Sequence, residues 1–190
     1  MIELPFSVLL VTDRTIHGWG DTLLDRAERA LSRLGAGRGA ILLRDKETLP
    51  EERTAMGHRI RALCHRHQSL FFLSDRVDLA LICGADGVQL PEGGSSVKDA
   101  RSIAPGLRIG RSVHNELGLR QAEEAGADFA MLAPVLEVPG KLPLGWQEFR
   151  RLSLFVKIPV VALGGLDGSD LDTGRRFGAA AVACRGRWPV

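Results

Sequence analysis

IPVVALGGL, Ile158 to Leu166, is the stretch on which the fold turns. The apolar run Pro159 to Leu163 is too short for a membrane span and carries no polar alternation. It reads as a strand of a parallel sheet, buried on both faces. The Gly164-Gly165 pair that follows marks a tight turn out of the strand's carboxyl end. Runs of the same kind recur at Ser7 to Thr12, Ala40 to Leu43, Leu70 to Leu73, Gly87 to Leu90, Leu107 to Ile109, Phe129 to Leu132 and Ala180 to Ala183. With Val160 to Leu163 they make eight strands.

Helical patterns separate these runs. Leu23, Leu24, Ala27, Ala30, Leu31 and Leu34 repeat at helical spacing between the cap candidate Asp21 and the stop signal Gly35. A second helix is expected from the cap candidate Thr48, with Pro50, Glu51 and Glu52 in its first turn and Met56, Ile60, Leu63 and Cys64 on one face. Later helices are expected to begin near Asp75, Ser95, Asn115, Gly145 and Ser169. Gly84-Ala85-Asp86, Gly126-Ala127-Asp128 and Gly178-Ala179-Ala180 each end a helix with glycine and lead into the next strand.

Eight such units predict an α/β fold, a single parallel eight-stranded β/α (TIM) barrel over residues 1–190. Trp188-Pro189-Val190 follows the eighth strand directly, so the final helix is expected to be missing. Another subunit, the N-terminal segment or further residues would then cover the outside of that strand, because a bare apolar patch is unfavourable in water.

Composition narrows the function. Twenty-five basic and 23 acidic side chains, a net charge of +2, give no face basic enough for nucleic acid or membrane surfaces. A small molecule is the expected partner, and a homo-oligomer stays open. The three cysteines Cys64, Cys83 and Cys184 lie far apart, which points away from a disulfide framework and toward a reducing, cytoplasmic setting. MIELPFSVLLVTDR has no basic leader before its apolar run and reads as neither signal peptide nor membrane span. His65 and His67, beside Cys64, fall on an outer helix without a carboxylate in metal-ligand spacing. Arg53, Arg59, Arg61 and Arg66 read as a solvated helix face.

In a β/α barrel the active site forms at the carboxyl ends of the strands. The residues there are polar and mostly basic: Asp13 and Arg14; Arg44, Asp45 and Lys46; Ser74, Asp75 and Arg76; Gln89; Arg111, Ser112 and His114; Glu137 and Lys141; Gly164 and Gly165; Arg185 and Gly186. Converging Arg and Lys suit a phosphate or pyrophosphate. Gly164 and Gly165 would add backbone N–H donors, and a helix starting near Asp167 to Ser169 would turn its positive end toward the anion. His114 is a candidate general acid or base, or a histidine simply hydrogen-bonded to backbone.

LVTDR (Leu10 to Arg14), LRDK (Leu43 to Lys46), SDRVDLAL (Ser74 to Leu81), GADGVQL (Gly84 to Leu90), IGRSVH (Ile109 to His114), AEEAGADF (Ala122 to Phe129), Lys141 and IPVVALGGL together resemble the thiamine phosphate synthase superfamily. The resemblance covers essentially the whole chain. It implies one of two activities. Synthases of this kind use Mg2+ and join hydroxymethylpyrimidine diphosphate to thiazole phosphate with loss of pyrophosphate. The TenI branch aromatises a thiazole phosphate tautomer by proton transfer.

Carried onto this sequence, the resemblance implies phosphate or pyrophosphate binding by Arg44, Lys46, Lys141, Gly164, Gly165, Arg185 and Gly186. It implies a pyrimidine or thiazole pocket at Ser112 and Gln89, and a magnesium ligand at Asp75. Leu42 replaces the glutamine of the synthase pattern, and Gly94 stands where a second aspartate is expected. Val138-Pro139-Gly140-Lys141 keeps the lysine of a Thr-Pro-Thr-Lys loop and loses both hydroxyls. VQLP and IGRSVH look closer to the TenI branch, but the histidine of that chemistry falls on Pro134, leaving His114 or Glu137 as the proton carriers. The leading expectation is a TenI-like thiazole tautomerase or divergent homologue. The alternatives are a Mg-dependent thiamine phosphate synthase and a non-catalytic ligand-binding or regulatory protein.

Overall fold

Alternate residues of each strand face opposite sides of a sheet, and in this chain both sides are apolar. The computed structural model, which describes residues 3–189, closes the strands into one parallel barrel in sequence order. They are β1 Val8–Val11, β2 Gly39–Leu43, β3 Leu70–Ser74, β4 Gly87–Leu90, β5 Arg108–Val113, β6 Phe129–Leu132, β7 Val160–Leu163 and β8 Ala181–Cys184. β8 returns to β1 with Val8 opposite Val182. The helices are α1 Arg14–His17, α2 Asp21–Leu34, α3 Pro50–Arg66, α4 Val77–Ile82, α5 Val97–Ile103, α6 Glu116–Glu124, α7 Gly145–Ser153 and α8 Leu171–Arg176, the last preceded by a 3-10 turn at Gly168–Asp170. Met1, Ile2 and Val190 lie outside the described residues. No described helix is long and apolar enough to cross a membrane.

The two-residue period sorts the core into two clusters. Val8, Leu10, Ile41, Leu43, Phe71, Leu73, Val88 and Val182 face outward and pack with the helices. Leu9, Val11, Ala40, Leu42, Phe72, Phe129, Met131, Val161, Ala181 and Ala183 fill the barrel, joined by Phe6. Phe6, Phe72 and Phe129 meet edge to face, with centroids 5.7 to 6.0 Å apart, a geometry favoured by the ring quadrupoles. These rings fit because the inward positions beside them lack side chains. A Cβ on Gly87 would lie 2.7 Å from Phe72 Cδ1, and one on Gly110 would lie 2.6 Å from Phe129 Cε2. The rings plug the lower barrel and floor whatever forms above them.

Several sequence expectations change in detail. β5 runs through Val113, so Arg111 and Ser112 belong to the strand and do not follow it. Thr48 does not cap α3. Leu49 holds the cap position, and the Thr48 hydroxyl donates to the Asp45 carbonyl at 2.7 Å. Gly20, not Asp21, precedes α2, and Asp21 pairs with Arg59. α4 and α5 begin two residues later than expected, and α8 begins at Leu171 after the 3-10 turn. Gly35, Gly84, Gly126 and Gly178 all take positive φ at helix ends, as the sequence suggests.

Arg53 corrects the reading of a solvated face. It is buried, and its guanidinium donates to the carbonyls of Leu43 and Ser74, tying the ends of β2 and β3 to α3. Arg59, Arg61 and Arg66 instead form ion pairs with Asp21, Asp86 and Glu28. His67 also pairs with Glu28 at 2.6 Å, which helps hold that carboxyl below its ordinary pKa.

No helix follows β8 among the described residues. The chain covers that strand in its own way. Trp188 folds back, donates from Nε1 to the Cys184 carbonyl at 3.0 Å and stacks on His17 of α1 with ring centroids 4.0 Å apart. Cys184 is fully buried, and burial pushes its thiol up to about 12. The cover expected from a partner or the N-terminal segment is thus supplied in part by the residues just after the strand.

Two stability predictions follow from this packing. Gly110→Val should cost about 1–3 kcal/mol by overpacking against Gln89 and Phe129, read as a lower urea midpoint, and adding Phe129→Leu should recover part of it. Trp188→Ala should cost about 3–5 kcal/mol and make Cys184 reactive toward a thiol reagent in the folded state; unchanged stability and reactivity would show that the indole is not the cover.

Candidate active site at the barrel mouth

Continuing each inward row two residues past the filled core generates the site. Beyond Val11 comes Asp13; beyond Leu42, Arg44; beyond Phe72, Ser74; beyond Gly87, Gln89; beyond Gly110, Ser112; beyond Met131, Ala133; beyond Val161, Leu163; and beyond Ala183, Arg185. The switch to polar residues along six of these eight rows, with Ala133 and Leu163 remaining apolar, creates the mouth. All eight residues line one or both of two adjoining cavities.

The narrower cavity, about 260 Å3, sits over the core. Arg44, Lys46, Gln89, Ser112, His114 and Glu92 line it above Leu42 and Met131. The wider one, about 700 Å3, lies toward β7 and β8, lined by Glu137, Pro139, Lys141, Gly164, Gly165, Arg185 and Gly186. Ala133, Lys141, Leu163 and Arg185 belong to both. Lys141 and Arg185 therefore place cationic groups along the shared wall.

In the narrow cavity, Lys46 pairs with Asp75 at 3.5 Å, both about one-third exposed. Asp75 is a non-glycine residue in the left-handed region, φ 74°, the kind of backbone position found at functional sites. A Cβ on Gly94 would lie 3.0 Å from Asp75 Oδ1 and 2.7 Å from Pro91 Cγ. Position 94 thus faces Asp75 without a side chain, and Pro91 fills the space a larger residue would need. Gln89 Nε2 donates to Ser112 Oγ at 3.0 Å, while its buried Oε1 has no partner among the described residues. His114 Nδ1 is 2.6 Å from the Ala133 carbonyl, which makes that nitrogen the protonated one in the neutral ring and leaves Nε2 3.8 Å from Glu92.

In the wide cavity, the glycine pair owes its identity to packing. Gly164 (φ 107°) and Gly165 (φ 70°) are seated against the β6–α7 loop. A Cβ would fall 2.6 Å from Pro134 Cα in the first case and 2.8 Å from Leu136 Cβ in the second. The loop is pinned there by Val135 N–H to the Leu163 carbonyl and Leu136 N–H to the Gly164 carbonyl, both 2.9 Å. The Gly165 and Gly186 N–H groups have no acceptor among the described residues and remain as donors. Gly140 (φ 76°) turns the chain so that Lys141 N–H returns to the Val138 carbonyl, which fixes the base of the lysine.

The helix end expected to face the anion is already filled. Asp167 caps the 3-10 turn through Ser169 N–H (2.8 Å) and Ser169 Oγ (2.6 Å), so its carboxylate occupies the positive end. Arg111 is also withdrawn, since it donates to the carbonyls of Ser95 and Glu92 and braces the β4–α5 loop. His114 and Glu137 stand in different cavities, Glu137 in the wide one and His114 in the narrow one.

The sequence assigned no role to two contributors. Asp13 is buried and anchors Arg185 through Nε at 3.0 Å and Nη2 at 2.7 Å. Burial raises its pKa, but hydrogen bonds from Thr15 and Arg185 outweigh that and hold it below the ordinary carboxylate value. Glu92 faces His114. Asp13 is visible in the sequence at the end of the first strand, but its pairing with Arg185 is not. Glu92 lies in a loop whose course no periodicity specifies.

A family model described as thiamine monophosphate synthase matches residues 8–186. The chain is 31% identical to a putative thiamine-phosphate synthase 2 of Aquifex aeolicus over 185 residues, covering 96% of each. It is 36% identical to the thiamine-phosphate synthase of Thermus thermophilus, over 92% of this chain and 84% of that one. In three dimensions it is similar to a thiamine phosphate pyrophosphorylase from Pyrococcus furiosus, with a TM-score of 0.85 and 31% identity over 96% of this chain and 89% of the other. These relatives carry the synthase name, which favours that alternative over the TenI-like reading placed first on sequence alone. The barrel, its polar mouth and these matches agree that the chain belongs to the thiamine monophosphate synthase family.

Proposed function

We propose that this chain joins two phosphorylated substrates, hydroxymethylpyrimidine diphosphate and thiazole phosphate, to give thiamine phosphate and free diphosphate. The observation that supports it most is the pair of adjoining cavities with cations on their common wall. A one-substrate tautomerase needs one anion site. A condensation needs two, close enough for the reacting atoms to meet.

In this reading Arg44 and Lys46 take the diphosphate, and Ser112 and Gln89 hold the pyrimidine, with the orphan Gln89 Oε1 accepting an N–H from the ring. The free N–H groups of Gly165 and Gly186 take the thiazole phosphate. The thiazole nitrogen attacks the pyrimidine methylene carbon. A C–N bond forms there as the C–O bond to diphosphate breaks, and the electron pair leaves with the diphosphate. Lys46, Lys141 and Arg185 stabilise the charge that develops on the leaving group, an effect strengthened where water is excluded. Asp13 acts as a positioning residue by fixing Arg185.

Magnesium enters through the family. It takes oxygen ligands, one or two of them carboxylates, with substrate phosphates and water completing its shell. Asp75 beside a bound diphosphate meets the lower end of that requirement, and Gly94 adds nothing to it. Asp75 would be the protein's ligand, and the ion when bound would neutralise charge on the diphosphate.

A second reading rests on His114. With Nδ1 donating to Ala133 and Nε2 facing Glu92, it is oriented for proton transfer, which a TenI-like tautomerase would require.

The condensation predicts diphosphate release only when both substrates and Mg2+ are present; release with either substrate alone, or none with both, would overturn it. Lys46→Met should lower turnover about 10²–10³-fold, the usual cost of losing one electrostatic donor, while calorimetric affinity for thiazole phosphate stays unchanged. The second reading predicts aromatisation of the thiazole carboxylate phosphate tautomer without added metal, abolished by His114→Asn; a rate equal to buffer would exclude it.

A further inference from the structure

We propose a second oxyanion site outside the barrel, in a cleft of about 530 Å3 between α2, the turn before α8 and the tail after β8. It would take a small phosphate- or carboxylate-bearing ligand. The cleft adjoins the wide cavity of the barrel mouth, with which it shares Gly186 and Arg187, while its other lining residues lie outside the mouth.

The inference starts at His17, which lines the cleft and is only 2% exposed. Its Nδ1 accepts the Asp13 N–H at 3.1 Å. That nitrogen therefore carries no proton, and in the neutral ring the proton sits on Nε2. Burial first, and the nearby Arg26 second, hold the imidazole below its ordinary pKa, so the neutral ring is the form present at neutral pH. Nε2–H is thus a fixed donor, and it has no acceptor among the described residues. A buried donor left in this state is unfavourable; Nε2 is itself shielded from water, so an acceptor brought by a ligand would relieve it by opening the ring edge toward the cleft.

The surrounding charge specifies the acceptor. Arg26 and Arg33 are seven residues apart, about two turns of α2, and so share one face. Both line the cleft, and Arg187 lines it from the tail. Arg33 and Arg187 make no side-chain hydrogen bond or ion pair among the described residues, and Arg26 makes only a 3.5 Å bond to the Ile16 carbonyl. The one carboxylate in the lining, Asp167, caps through Ser169 and lies near enough to Arg187 for the two charges to attract, which leaves the cleft with a net positive charge. Three guanidinium groups and a neutral N–H donor suit an oxyanion, since the planar guanidinium matches phosphate and carboxylate.

The test follows His17 directly. The full chain, with its histidines labelled with 15N, is titrated with inorganic phosphate and separately with citrate. A saturable shift of the His17 Nε2 resonance is expected, and the ligand with the lower midpoint tells whether phosphate or carboxylate chemistry is preferred. Arg26→Ala/Arg33→Ala, at exposed helix positions, should raise that midpoint at least tenfold while leaving the response of His114 at the barrel mouth unchanged. A His17 signal that ignores both anions, or that moves equally in the variant, overturns the proposal. Because the readout is binding at His17, the outcome does not depend on which reaction the barrel performs.

Discussion

Closure of the parallel ladder is the constraint from which the rest of the molecule follows. Once β8 pairs with β1, every strand must direct alternate residues into a shared interior whose size is set by strand number and stagger. That interior is filled at its lower level by the rings of Phe6, Phe72 and Phe129, which fit only because Gly87 and Gly110 give up their side chains. The same rows carried upward become the polar mouth. Core and site are thus successive levels of one alternation.

The mouth manages its charge by pairing some cations and leaving others open. Lys46 leans on Asp75 and Arg185 on buried Asp13, which limits where each long side chain can go before a substrate arrives. Arg44 and Lys141 line the cavities without an ion pair among the described residues. Under the proposed condensation, a multiply charged diphosphate would draw on both kinds of group, the first already oriented and the second free to adapt. Family membership sets the chemistry to be expected, while the glycine at position 94 leaves Asp75 facing Lys46 without a second carboxylate beside it.

The outside of β8 shows how the fold treats an exposed strand. Trp188 and His17 stack over it, so apolar burial is retained without a following helix. The consequence is a cleft with more positive than available negative charge, bordered by a histidine whose proton lacks an acceptor. The feature that completes the core there also defines the proposed anion site.

Strand order, parallel sense and the polar barrel mouth were legible in the sequence, because double-sided burial leaves continuous apolar runs and polar residues collect just past them. The Gly164-Gly165 pair was legible as a turn, but its cause was not: it seats the Pro134–Leu136 segment, a contact made between residues about thirty positions apart. Arg53 looked like any helix-surface arginine, and only tertiary structure shows it buried against the carbonyls of Leu43 and Ser74. The pairing of Asp13 with Arg185 and the stacking of His17 on Trp188 join opposite ends of the chain, brought together solely by barrel closure. Sequence by itself determined that the strands are parallel and buried on both faces, because that follows from short, continuous apolar runs separated by helical patterns. Which charges meet, which donors stay free and which helix ends are already filled were decided by the tertiary structure, since those depend on distances between segments that no local pattern encodes.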